Sequence, residues 1–141
     1  MANTVMTSFK KELMEGTHDL ATSGDTFKLA LYTSSSSINS AATTIYTTSD
    51  EVGNSGTYAA GGGTLAGQTV TTDGTTAICN FTDLEFTSAT ITARYALIHN
   101  SSESNAAVCV LDFSTDQIST AGTFKIDFPA SGASTSIIRV A

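Results

Sequence analysis

A chain of 141 residues with one Pro and no Trp has the length of a single domain, enough to bury one core. Its net charge of −7, with only six basic residues (Lys10, Lys11, Lys28, Arg94, Lys125 and Arg139) scattered along it, excludes a role that tracks nucleic-acid phosphates or clings to an anionic membrane. Charged residues make up only 13% of the chain and Ser plus Thr close to a third, so the surface is hydroxyl rather than ionic, which suits strands better than helices.

The first element is helical. "TVMTSFKKELME" places Val5, Met6, Phe9 and Leu13 near one face at helical spacing, and Gly16 stands where a helix end favours a left-handed residue. The pattern predicts a helix over 4–15. A helix this short needs something to pack against, so it either closes the core or docks on a neighbour. From Phe27 the period changes to two: "FKLALYT" sends Phe27, Leu29 and Leu31 to one side of a strand.

Residues 33–76 are rich in Ser, Thr, Gly and Ala and longer than a structureless loop in a compact domain. "TIYTT" and "QTVTT" are the best candidates there for short strands, and the remainder, 34–67, reads as a loop or contact arm. Strand patterns then follow in quick succession: "TAICNF", "LEF", "ATITARYALIHN", "AAVCVLDF", "GTFKIDF" with Phe124, Ile126 and Phe128 inward, and "TSIIRVA". The turn-like "NSSESN" makes the middle pair a hairpin. Seven or eight short strands at this spacing predict an all-β, antiparallel, jelly-roll-like sandwich with one short N-terminal helix, a single domain over 1–141.

The residues that carry chemistry elsewhere find no partners by pattern. His18 precedes Asp19 at a helix exit and reads as a capping or packing residue, while His99 edges the core. Two histidines and two cysteines lie too far apart for a zinc motif, no Gly-x-Ser-x-Gly elbow accompanies the serines, and "AAGGGTLAG" lacks the Lys of a P-loop. Its glycines suit a turn or a close approach to another surface. Asp50, Glu51, Asp73, Asp112, Asp116 and Asp127 form no calcium loop and read as solvated. Cys79 and Cys109 sit in apolar segments and read as buried thiols, with a cross-strand disulfide the alternative. No catalytic residue, metal or cofactor is expected. No apolar run approaches the ~18 residues of a membrane span and no basic-then-apolar leader opens the chain, which points to a protein made in a cytoplasm.

Three segments in this order and spacing, "TSFKKELMEGTHDL" with "DTFKLALYTS", "YAAGGGTLAG" and "ARYALIHNSSESNAAVCVLDF", resemble a family of small virion proteins of tailed bacteriophages. The resemblance implies a capsid cement, or decoration, protein: a non-enzymatic homo-oligomer, dimer or trimer, bound to the major capsid protein on the exterior of the virion. It marks no contact residues. From the residues themselves, Tyr46 and Tyr58, isolated among small neighbours, and Phe9 and Leu13 on the helix are the candidate partner contacts. The alternatives are a neck, tail or fibre-tip component, or a carbohydrate- or receptor-binding module, for which four Tyr and no Trp supply little stacking surface.

Overall fold

The structure is a computed structural model that describes residues 3–141. In chain order its elements are β1 (Thr4–Val5), α1 (Thr7–Met14), β2 (Phe27–Tyr32), β3 (Gly63–Thr64), β4 (Thr69–Asp73), β5 (Thr76–Asn80), β6 (Leu84–Asn100), β7 (Ala106–Ile126) and β8 (Ile138–Val140). Every pairing is antiparallel, in a five-stranded sheet of order β1-β7-β6-β2-β3 and a three-stranded sheet of order β4-β5-β8. The chain is therefore mostly β, with one short helix. One core serves all of it: Leu29, Leu31, Leu97 and Val108 from the large sheet, Cys79 and Ile138 from the small sheet, and Phe9 from the helix.

The four strand patterns "LEF", "ATITARYALIHN", "AAVCVLDF" and "GTFKIDF" belong to only two strands. β6 runs for 17 residues and β7 for 21, joined through the turn at 101–105. Ser88, Ser114 and Ala121 have positive φ, and the β6–β7 register shifts near these points without the ladder ending. Such bulges bend a strand and add twist, which lets a long hairpin curve over a core instead of breaking into pieces. β2 pairs with β6 only from Tyr95 to Asn100, so much of β6 has no strand on that side.

The helix is shorter than its apolar spacing suggested. Thr4 and Val5 pair with Val110 and Cys109 of β7, and the Met6 N–H donates to the Val108 carbonyl at 2.9 Å. These sheet bonds hold Met6 extended at φ −67°, ψ 142°, and helix begins only at Thr7. At the other end Gly16, at φ 74°, takes the left-handed position. Its N–H donates to the Leu13 carbonyl at 3.2 Å and that of Thr17 to the Glu12 carbonyl at 2.9 Å, the paired bonds of a Schellman stop.

This stop delivers His18 into the interior, where it joins three parts of the chain. The Ser102 N–H donates to Asn100 Oδ1 at 3.0 Å, which turns Asn100 Nδ2 toward His18 Nδ1 at 2.9 Å and Asp25 Oδ2 at 2.8 Å. An amide NH₂ only donates, so Nδ1 accepts and His18 Nε2–H donates to Glu12 Oε2 at 2.8 Å. Phe9 packs its ring 4.8 Å from that of His18. The helix, its exit loop and the end of β6 are thereby one unit, and the helix closes the core.

Apart from β3, the 34–67 region is loop but not a projecting arm. Ile38, Val52, Tyr58 and Leu65 are buried in the common core, "TIYTT" supplies only the isolated bridge of Ile45 to Ala106, and "QTVTT" supplies β4. The glycines do allow a close approach, but to the chain's own β2: a Cβ on Gly62, at φ 82°, would fall onto the Leu29 carbonyl oxygen. Because Phe9 is the aromatic plug beneath α1, Phe9→Ala lowers unfolding stability by about 3 to 5 kcal/mol, measured by urea denaturation.

Candidate functional site

Two open surfaces among the described residues meet at β8. The first lies between α1 and the small sheet. In the register of that sheet Val70, Cys79 and Ile138 lie side by side, as do Ala77 and Val140. Cys79 and Ile138 are covered, whereas Val70 and Val140 are each about half exposed. With Leu13 and Leu20 these side chains line an apolar slot of about 140 Å³. The neighbouring Met14 is 91% exposed. The helix is only two turns long and packs against β7, so that of its residues Leu13 borders this strip.

The second surface is a cleft of about 760 Å³ between β7 and the segment leading into β8. β1 covers β7 only at Cys109 and Val110, and β8 is itself the edge of the small sheet. The cleft is thus flanked by two strand edges. Phe113, Phe124, Ile126 and Phe128 give it an apolar side, and Thr123, Ser134, Thr135 and Ser136 a hydroxyl side. Within it Asp112 pairs with Arg94 at 2.9 Å and Lys125 with Asp127 at 2.6 Å and Asp83 at 3.2 Å, while Arg139 donates to the Ala133 carbonyl. The Arg94 guanidinium holds the Asp112 carboxyl well below the usual carboxylate range.

Of the four residues singled out from the sequence, two are interior. Phe9 and Tyr58 are each 1% exposed and belong to the core of this chain, not to a contact surface. Leu13 and Tyr46 are half-buried, and only Leu13 borders an open surface, the apolar slot. Both tyrosines serve Glu51 instead. Its carboxylate accepts from the Tyr46 hydroxyl at 2.6 Å, the Tyr58 hydroxyl at 2.8 Å and the Gly61 N–H at 2.7 Å. Burial, first, and then the Glu51 hydrogen bond push the Tyr46 phenol up to about 12, and Tyr58 is raised further for the same reasons. Phenols that remain protonated keep donating, so Glu51 is a clasp for the 46–61 loop rather than an acid awaiting a substrate.

The other reactive groups are likewise enclosed. Tyr46 stacks on His99 at 4.7 Å, and His99 Nε2 lies 3.1 Å from the Gly61 carbonyl oxygen, with burial lowering the imidazole's affinity for a proton. Cys79 and Cys109 are free, and burial pushes their thiols up to about 11 and about 12, which leaves little thiolate at neutral pH. Among the described residues no three His, Cys, Asp or Glu side chains gather as a metal site, and no helix is long and apolar enough to cross a membrane. Compared with known protein families, curated proteins and solved structures, the chain matches none of them.

Of the residues that line the slot, the sequence pattern singled out Leu13 and not Val70, Val140 or Leu20. The signal was present in "QTVTT" and "IIRVA", whose alternation puts one apolar residue of each strand on the face of Cys79 and Ile138. What it could not show was how far α1 would reach across that face.

The depressed proton affinity of His99 has a defined consequence for stability. The unfolded chain protonates this ring near pH 6.5 and the folded chain only at lower pH, so its contribution is complete above about 6.5 and is lost as pH falls toward the folded value. His99→Gln therefore flattens the decline of unfolding free energy between pH 7 and 5 relative to the parent, measured as urea midpoints across that range.

Proposed function

We propose that this chain is a non-enzymatic virion structural protein of a tailed bacteriophage, most specifically a capsid cement protein that lies on the outer face of the icosahedral shell and braces contacts between subunits of the major capsid protein. The reading rests on the resemblance carried by its helix, glycine-rich and hairpin segments, with a sandwich-like, jelly-roll-like body. The observation that carries it in this chain is the apolar slot. Val70 and Val140 stay about half exposed beside Leu13 of the helix and form an apolar strip open to solvent. A strip of this kind suits contact with another protein surface, and many copies on one lattice would add their modest affinities.

The remaining features agree with a bracing role. The tyrosines, histidines and thiols are spent on internal hydrogen bonds or packing. Tyr46 stays a candidate contact only at the margin of its Glu51 clasp. A neck, tail or fibre-tip role would use the same slot at a few copies per particle, so copy number separates the two readings.

The test is binding of the purified chain to shells stripped of it. Val70→Asp places a carboxylate in the strip at a half-exposed position, where the fold tolerates it. It is expected to weaken shell binding by about 10- to 100-fold, the equivalent of roughly 1.5 to 3 kcal/mol of lost apolar burial, with the thermal transition little changed. Undiminished binding would remove the slot as the contact. Quantitative mass spectrometry of purified particles then distinguishes a lattice-covering ratio to the major capsid protein from a handful of copies.

A further inference from the structure

The outer edge of β7 is organised for one kind of partner. Beyond its short pairing with β1 it continues from Leu111 to Ile126 with no strand beside it among the described residues. Two residues with positive φ, Ser114 at 68° and Ala121 at 45°, divide this edge and leave one extended window between them, "TDQIST", residues 115–120. Exposed edges are usually guarded by Lys, Pro or a run of charge. This window has no Lys, Arg or Pro and a single charge, Asp116, and it exposes Ile118 at 69%.

We propose that the window pairs with the same window of a second copy, strand β7 against strand β7, about a twofold axis at Ile118. A twofold axis normal to an antiparallel ladder sets one residue opposite itself and pairs the others symmetrically around it. With Ile118 on the axis, Gln117 faces Ser119 and Asp116 faces Thr120. Two exposed isoleucines then cover each other, and each carboxylate meets a hydroxyl.

Charge selects this register over its neighbours. An axis at Asp116 would oppose two carboxylates in a chain whose net charge is already −7, and an axis at Gln117 would set Asp116 against Ile118. An axis at Ser119 would drive Asp116 onto Gly122, beyond the kink at Ala121. The pairing also continues what the fold already does on this edge, since β1 adds to β7 antiparallel at Val110 and Cys109. The kinks at either end keep the ladder short, and a twofold pair uses up both edges, so the association closes as a dimer and does not propagate.

The experiment uses the full chain in solution. Sedimentation over a concentration series reaching the millimolar range is expected to show a species of twice 14.5 kDa, and Ile118→Lys, at an exposed position, is expected to return it to a folded monomer. The register is read by mild oxidation of cysteine variants. Ile118→Cys links to itself, and Asp116→Cys links to Thr120→Cys when the two are mixed, while neither of these links to itself because symmetry holds like positions too far apart. A wild-type chain that stays monomeric throughout, a dimer that survives Ile118→Lys, or links in any other pattern overturns the proposal. None of these outcomes depends on whether the chain binds a phage shell.

Discussion

A strand of 17 residues in this protein is longer than the neighbour on one of its sides, and much of the remaining structure follows from completing its hydrogen bonds there. β7 covers one side of β6, but on the other side β2 reaches only from Asn100 back to Tyr95. Further along, the loop takes over. The Thr57 N–H donates to the Thr87 carbonyl at 3.1 Å, the Thr87 N–H to Thr57 Oγ1 at 2.8 Å, and the Thr90 N–H to Ser55 Oγ at 2.8 Å. Hydroxyls act here as substitutes for a missing strand. This gives the Ser- and Thr-rich composition a structural meaning: short side chains that both donate and accept can satisfy a bent edge that a regular partner would not follow.

A loop in that position must itself be held, and Glu51 does this by gathering two phenols and a backbone N–H from residues 46, 58 and 61. The same logic governs the N-terminal helix. Two turns of helix have little stability alone, yet β1 anchors one end to β7 and the His18, Asn100 and Asp25 bonds anchor the other to the end of β6. The stretch "GTHDL" is the means of that anchoring. Gly16 reverses the chain, and the residue two positions on then enters the core beside Phe9.

What was legible in the sequence was what local pattern determines. Alternation in "FKLALY" marked β2 and its core face, "NSSESN" marked the hairpin, and Gly16 marked the end of the helix. Local pattern failed where long-range bonds decide. Val5 and Met6 fit a helical stripe but are held extended by β7, and the polar stretch between "AAVCVLDF" and "GTFKIDF" carries no apolar alternation although β7 runs through it. Tyr58 among small residues looks like a surface anchor, and only its buried bond to Glu51 shows that the small neighbours let the loop lie flat on the sheet. Phe9 and Tyr58 are both interior, while Leu13 borders an open surface.

The two open surfaces are linked through β8. β8 is three residues long and pairs only with β5. Its Ile138 and Val140 turn toward the apolar slot, while Ile137, just before it, and Arg139 border the cleft along β7. Alternation along a strand thus gives each surface a wall from the same few residues. A short strand at a sheet edge contributes little stability by itself, so its order depends on what covers it from either side. The proposed partner on the slot would bury one face of β8, and the proposed second strand along β7 would shelter the approach to the other. Either proposed assembly, binding the folded arrangement and not the unfolded chain, would stabilise this short edge strand.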